Sequence, residues 1–180
     1  MRVIAGRLGG RRLKAPPGRV TRPTSDRVRE ALFSMLGDVH GASVLDLFAG
    51  TGALGIEALS RGAQTAVFVE RDVDVARVLS ANLQALGIAR ETAQVRRADA
   101  LQALRSARGR KETYDLIFID PPYGQARDWG AKLAAMLPPL LVAGARVVVE
   151  SDRRAPLELE LALERSRRYG DTSITIHRHQ

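Results

Sequence analysis

A short stretch near the middle of the chain combines residue types that could hold a planar group in a fixed orientation. It reads YDLIFIDPPYG, residues 114–124, and an apolar strand runs directly into Asp120, Pro121, Pro122 and Tyr123. Proline fixes φ and carries no N–H donor, so this corner presents a carboxylate and stiffly held carbonyl acceptors beside an aromatic face. A rigid turn with a packed aromatic side chain would use the same residues, but turn chemistry alone does not require Tyr123.

A second candidate site is the glycine-rich segment VLDLFAGTGALGIEAL. Gly50, Gly52 and Gly55 lie between a predicted strand and a predicted helix, and Glu70 follows 20 residues after Gly50. Glycines at these positions allow a tight turn and let a ligand approach the amides at the helix N-terminus. Taken literally, the spacing is a dinucleotide fingerprint, which leaves a nicotinamide-dependent oxidoreductase as one interpretation. A tight turn with no ligand is another.

Three acids that follow successive strands favour a different nucleoside ligand. Asp46 lies inside the first strand, Glu70 ends the second, and Asp99, next to Ala100, follows the third. A carboxylate at Asp46 is unfavourable beside a pyrophosphate but suits a cationic amine. S-adenosylmethionine carries an α-amino group, a ribose and an adenine, and ligands of such sheets bind outside the carboxyl ends of the strands. Singly, Asp99 could be a helix N-cap and Glu70 a surface charge.

The scaffold that would position these residues is predicted from the alternation of strand and helix patterns. Strands are predicted at 43–49, 65–70, 93–98, 114–120 and 145–151, and helices at 25–36, 52–62, 72–87, 99–107 and from 126 to the proline pair at 138. Such alternation predicts an α/β fold with a mostly parallel sheet and helices on both faces. A Gly-Asp turn near the C-terminus predicts an antiparallel hairpin, and residues 1–24 predict a small β-hairpin arm.

Charge is concentrated at the N-terminus. The chain has 28 Lys and Arg against 20 Asp and Glu, a net charge of +8, and residues 1–30 hold nine of these bases against two acids. This asymmetry predicts a polyanionic partner, most simply a nucleic acid, because each base that meets a phosphate releases condensed counterions. A solvated, arginine-rich surface is the alternative.

Several classes of protein are disfavoured by composition. The chain has no cysteine, which excludes disulfides, thiolate catalysis and cysteine-ligated metals. No apolar run approaches the roughly 20 residues of a membrane span, and no signal peptide is evident. We therefore expect a cytoplasmic protein without a membrane segment. The three histidines show no metal-ligand spacing, and we predict no metal. Trp129 is expected to pack a helix rather than to line an RNA pocket.

Taken together, these segments resemble a known family. The motifs DLFAGTG, VERD and DPPY are similar to those of class I S-adenosylmethionine-dependent methyltransferases that modify exocyclic amino groups, which have a Rossmann-like, seven-stranded sheet. The block RVIAGRLGGRRLKAPPG…TRPTSDRVREALFSML narrows the resemblance to the bacterial 16S rRNA guanine-966 N2-methyltransferase (RsmD-like) family. Similarity extends over essentially the whole chain, least clearly at 101–112 and 152–168.

The resemblance implies roles for individual residues and a partner. The methyltransferase domain would span 25–180, after a basic RNA-binding arm at 1–24, and the protein would act on 16S rRNA, within a small-subunit particle. A monomer is the default expectation, since the sequence does not reveal the oligomeric state. Catalysis would use Asp120, Pro121, Pro122 and Tyr123. S-adenosylmethionine would be bound by Thr24, Asp46, Phe48, Ala49, Gly50, Thr51, Gly52, Glu70, Arg71, Asp99 and Ala100. RNA would be bound by Arg7, Arg11, Arg12, Lys14, Arg22, Arg27 and Arg29.

Residue chemistry alone leaves the substrate open. A carboxylate at Asp120 and the carbonyl of Pro121 could accept the two N–H bonds of a guanine amine while Tyr123 stacks on the base. An adenine or a DNA amino group would suit the same corner. A non-catalytic RNA-binding module is a further interpretation.

Overall fold

The computed structural model describes residues 1–16, 25–121 and 126–180, except for the side chains of 126–128. Helices in this part of the chain are α1 (Asp26–Leu36), α2 (Ala53–Ser60), α3 (Val73–Ala85), α4 (Ala100–Gly109) and α5 (Ala126–Met136), followed by a 3₁₀ turn at Pro138–Leu140. Strands are β1 (Ser43–Asp46), β2 (Thr65–Val69), β3 (Ala93–Arg96), β4 (Tyr114–Ile119), β5 (Leu141–Asp152), β6 (Ala162–Tyr169) and β7 (Thr172–Arg178). No helix in the described ranges is long and apolar enough to cross a membrane.

The strands form one seven-stranded sheet in the order β3-β2-β1-β4-β5-β7-β6. Strands β1 to β5 are parallel, whereas β7 runs antiparallel to both β5 and β6. The predicted α/β fold with a mostly parallel sheet and an antiparallel C-terminal hairpin is therefore confirmed. The parallel arrangement brings the carboxyl ends of β1 to β5 to one edge, and the predicted site residues follow β1, β2, β3 and β4 there.

Apolar side chains cover both faces of the sheet. Because side chains alternate along a strand, Val44 packs with the core under α1, α2 and α3, while Leu45 packs with the core under α4 and α5. In β4, Leu116 and Phe118 belong to the first core, and Ile117 lies in the second. The two layers confirm the predicted helices on both faces.

Helix starts and strand ends follow local chemistry. Asp72 caps α3, since its side chain accepts hydrogen bonds from the amides of Asp74 and Val75. The predicted start of β5 is wrong by four residues: the strand begins at Leu141, passes through Gly144 with φ +78°, and shifts register beside β4. Glycine in this conformation accommodates an irregular strand that hydrophobic patterning does not reveal.

The described part of the N-terminal arm packs on the first core. Arg2 and Arg12 form a single antiparallel bridge, which is the predicted hairpin in its smallest form. The arm contributes three buried side chains to the core under α1, α2 and α3, namely Val3, Leu8 and Leu13. Gly6 lies so close to α2, with φ +78°, that an added Cβ would fall 1.9 Å from the carbonyl oxygen of Ser60. Only glycine fits this contact.

Candidate active site

Three carboxyl groups lie on one face of the sheet at the carboxyl ends of neighbouring strands. Asp46 in β1 is paired with Phe118 in β4, and Ile119 in β4 is paired with Val149 in β5. Asp120 directly follows β4, and Glu150 is the next residue of β5, so the two lie side by side. By alternation, Asp46, Asp120 and Glu150 point to the same face as Phe118, which is the face that α1 covers. The structure thus brings together the predicted Asp46 and Asp120.

Burial and mutual repulsion raise the pKa values of Asp46 and Asp120. Burial raises the pKa of Asp46 to about 7, opposed by the hydrogen bond from the Gly55 amide and aided by Glu70. Burial also raises the pKa of Asp120 well above its usual value, with further contributions from Glu150 and Asp46. A cation placed beside them would favour their ionised forms. The site therefore suits a positively charged or N–H-donating ligand.

The glycine loop between β1 and α2 has the geometry that its spacing predicts. Gly52 has φ +86°, and an added Cβ would lie 2.3 Å from Leu79 Cδ1. Gly55 packs α2 against β2, since a Cβ there would lie 2.3 Å from Phe68 Cε1. Gly50 has φ +54° and open space where a side chain would project. The loop thus combines tight turning, close packing and an approachable backbone.

Two acidic side chains accept hydrogen bonds from backbone amides of this loop. The Gly50 amide donates to Glu70 Oε2 at 3.0 Å, and the Gly55 amide donates to Asp46 Oδ2 at 3.0 Å. Glu70 Oε1 also accepts a hydrogen bond from the Asp72 amide at 2.8 Å. Through these hydrogen bonds Glu70 connects the end of β2 to the glycine loop. It is also the residue predicted to bind ribose.

The remaining predicted cofactor residues within the described ranges lie after β1, β2 and β3 at the same edge. Asp99 is exposed and caps α4, where its Oδ1 accepts from the Leu101 amide at 2.9 Å, so the capping interpretation is confirmed for this structure. Phe48 is half-buried, and its ring meets that of Trp129 edge-on at 5.0 Å. Trp129 is buried and packs with the α5 core, as predicted. The others differ in exposure, Arg71 being exposed, Thr51 partly buried, and Ala49 and Ala100 buried.

The proline corner is only partly described. Asp120 follows β4 and Pro121 is buried beside it. Pro122 and Tyr123 lie outside the described residues, as do Arg22 and Thr24 of the N-terminal block. Their predicted roles in catalysis, RNA binding and cofactor binding stay predictions.

The predicted RNA-binding residues divide into an exposed group and one buried member. The exposed ones within the described ranges are Arg7, Arg11, Arg12, Lys14 and Arg27. Arg29 is 0% exposed and donates through Nη2 to the Arg2 carbonyl and to Asp26 Oδ1, each at 2.6 Å. The prediction that Arg29 contacts RNA is therefore wrong for this structure, because its guanidinium lies inside the protein and joins the arm to α1.

Sequence reasoning missed Glu150 and the residues that hold the arm. Glu150 lies near the carboxyl end of a strand, as Glu70 does, so the same rule could have found it. Glu57 is buried, and its two oxygens accept hydrogen bonds from the Ile4 and Ala5 amides at 2.7 and 3.0 Å. A glutamate inside a helical pattern gives no sign of such distant partners.

The strand order, with β7 antiparallel, and the glycine loop after β1 define the class: this is the Rossmann-like fold of class I methyltransferases. The Escherichia coli protein named "Putative methyltransferase yhhF" shares it, with a TM-score of 0.85 and 33% identity over 100% of this chain and 98% of that chain.

Sequence comparisons show the family more narrowly. The family model described as Conserved hypothetical protein 95 matches residues 1–178. The Bacillus subtilis (strain 168) protein named "Putative rRNA methyltransferase YlbH" is 41% identical over 187 residues, which cover 99% of this chain and 98% of that protein. Ribosomal RNA small subunit methyltransferase D of Haemophilus influenzae is 42% identical over 124 residues, which cover 68% of this chain and 64% of that protein. The chain therefore belongs to the RsmD-like family of rRNA methyltransferases. This is the family that its N-terminal block, its glycine loop and its proline corner predicted.

Proposed function

We propose that the protein transfers a methyl group from S-adenosylmethionine to the exocyclic N2 amine of a guanine in 16S rRNA. The position, guanine-966, is carried over from the family resemblance. The observation that carries the proposal is the shared face of Asp46 and Asp120 beside an open glycine loop. The relatives named as small-subunit rRNA methyltransferases support the polymer and the reaction.

The residues present fit a cationic nucleoside better than a dinucleotide. The Gly50 and Gly55 amides, which would otherwise face a pyrophosphate, already donate to Glu70 and Asp46. A pyrophosphate at that position would meet two carboxyl groups, whereas an α-amino group would stabilise the ionised form of buried Asp46. Glu70 and Asp99, at the ends of β2 and β3, would then accept hydrogen bonds from ribose and adenine. This favours S-adenosylmethionine over a nicotinamide cofactor.

Asp120 and Pro121 would position the amine. Bound S-adenosylmethionine supplies an electrophilic methyl group on a sulfonium, and its sulfur keeps the electron pair when the methyl group leaves. The Asp120 carboxylate and the Pro121 carbonyl would accept the two N–H bonds and aim the nitrogen lone pair at that methyl group. The methylated nitrogen must lose one proton, and Asp120, with its raised pKa, is a base suited to accept it.

The RNA-facing surface would extend from this corner along α1. At the end of α1, Arg146 of β5 donates to the carbonyls of Leu36 and Asp38, and one turn earlier Phe33 meets the ring of Phe118 at 5.8 Å. The helix therefore runs antiparallel to the strands. Its 11 residues rise about 16 Å, which brings its first turn near the level of Asp120. Exposed Arg27 in that turn would meet phosphate.

A transfer assay tests the proposal directly. Small ribosomal subunits lacking the modification are incubated with the protein and S-adenosylmethionine labelled in its methyl group, and the modified nucleotide is mapped by mass spectrometry. We expect label on one guanine N2, and a loss of at least about 100-fold in rate for Asp120→Ala. Wild-type transfer by Asp120→Ala would contradict the catalytic role but not the function.

The same assay separates the alternatives. Label on adenine or on DNA would move the substrate but keep the chemistry, whereas RNA binding without transfer would indicate a non-catalytic module. Calorimetric binding of NADH with none of S-adenosylhomocysteine would favour the oxidoreductase. Four expectations stay predictions: that the protein is a monomer, that it is cytoplasmic, that its substrate is a small-subunit particle, and that the arm ends at residue 24.

A further inference from the structure

A buried asparagine connects the N-terminal arm to the glycine loop. Asn82 lies near the end of α3 and is 2% exposed. Its Oδ1 accepts from the Lys14 amide at 2.8 Å, and its Nδ2 donates to the Lys14 carbonyl at 3.1 Å. The same Nδ2 donates to the Thr51 carbonyl at 3.1 Å. One side chain therefore satisfies backbone groups of two segments that are far apart in sequence.

The two segments that Asn82 connects are predicted to bind the two ligands of the proposed reaction, RNA and S-adenosylmethionine. Lys14 follows the exposed bases of the arm, Arg11 and Arg12, which are predicted to meet RNA phosphates. Thr51 lies between Gly50 and Gly52, the two loop glycines with positive φ. A movement of either segment would leave part of a buried amide without its hydrogen bonds, which is unfavourable. Asn82 therefore links the position of the arm to that of the loop.

We propose that Asn82 couples the arm to the glycine loop, so that RNA and S-adenosylmethionine bind this protein with positive cooperativity. The inference rests on the proposed function. Asn82 acts as a positioning residue that contacts neither ligand: the ligand that binds first orders its own segment, and Asn82 passes that order to the other segment. By linkage, the factor by which cofactor strengthens RNA binding equals the factor by which RNA strengthens cofactor binding.

The coupling factor is measured by filter binding of a 16S rRNA transcript, with and without saturating S-adenosylhomocysteine. We expect about 5- to 10-fold tighter RNA binding with S-adenosylhomocysteine for the wild type. Asn82→Ala should reduce this factor to at most about twofold. Gln84→Ala, which removes an exposed amide from the same helix, should keep the wild-type factor. A purely structural role would lower the melting temperature of Asn82→Ala and leave the coupling factor unchanged.

Hydrogen exchange in the wild type provides a second measurement that needs no variant. S-adenosylhomocysteine alone should slow exchange of the Lys14 amide, which donates to Asn82. Unchanged exchange there, or wild-type coupling in Asn82→Ala, would overturn the inference. Binding of both ligands without coupling in the wild type would also overturn it while leaving the proposed function intact. Binding of neither ligand would contradict the proposed function itself.

Discussion

Binding of S-adenosylhomocysteine is expected to release protons at neutral pH, because Asp46 must ionise to face the ammonium group of the ligand. Burial raises the pKa of Asp46 to about 7, so roughly half of the unliganded molecules carry a proton there at pH 7. A cation within about 4–6 Å lowers a carboxyl pKa by about 1–3 units. Nearly every bound molecule would then have Asp46 ionised, and about half a proton would leave per ligand bound.

Calorimetry in buffers of different ionisation enthalpy measures this number directly. At pH 7 the observed enthalpy, plotted against buffer enthalpy, should give about 0.5 proton released per site. Between pH 5.5 and 8 the dissociation constant should fall by up to about tenfold per pH unit below the pKa of Asp46, and level off above it. Asp46→Asn should lose both effects and bind more weakly.

The matched control is Asp74→Asn, which removes an exposed carboxylate on α3 that pairs with Arg77. It should keep the wild-type proton release. If the wild type releases less than about 0.1 proton at every pH from 6 to 8, Asp46 does not face the ammonium group. The assignment of Asp46 to the cofactor would then be wrong, even if S-adenosylhomocysteine binds tightly.

Two further substitutions test packing and charge. Gly55→Ala places a Cβ 2.3 Å from Phe68 Cε1 and should lower the free energy of unfolding by about 1–3 kcal/mol in denaturant titrations. Gly109→Ala, with open space around it, is the control and should not lower that free energy. Equal effects of the two substitutions would contradict the packing role of Gly55. Arg29→Ala removes a buried guanidinium and should lower the melting temperature. Arg27→Ala removes an exposed guanidinium, so it should leave the melting temperature unchanged and weaken RNA binding at low salt. The opposite pattern would indicate that Arg29 contacts RNA.

The fold was predictable because its elements are regular. Alternating strand and helix patterns, with a glycine after most helices, predicted the five helices and the seven strands of the described residues. The start of β5 was not predictable, since Leu141 pairs with Tyr114 through an irregular register that apolar pattern cannot reveal. The position of Arg29 was partly predictable: Arg29, Leu32, Phe33 and Leu36 recur at helical spacing on one buried face. An apolar pattern that begins at Val28 does not reveal this face, since Val28 is only partly buried.

Contacts of the arm were beyond sequence reasoning. Glu57, Ser60 and Asn82 each bond backbone groups of residues 4–14, which are 52 to 68 positions away in the chain. No periodic pattern marks a backbone amide as a partner. Asp46, Glu70 and Asp99 were found because parallel strands bring their carboxyl ends to one edge, a rule that depends on topology rather than on individual contacts, and Glu150 was missed although the same rule applies to it.

The placement of the carboxyl groups opposes folding, which is an argument for function. The pKa values of Asp46 and Asp120 are higher in the folded protein than in an unfolded chain. Their contribution to the free energy of unfolding is therefore greatest below about pH 4, and it is lost as the pH rises through their pKa values in the folded protein. Above about pH 7 the unliganded protein therefore bears the unfavourable ionisation of buried Asp46. A bound cation near Asp46 would offset part of that cost, and an amine donating to Asp120 would offset more. The same acids that weaken the unliganded fold would then distinguish cationic, N–H-bearing ligands from phosphates.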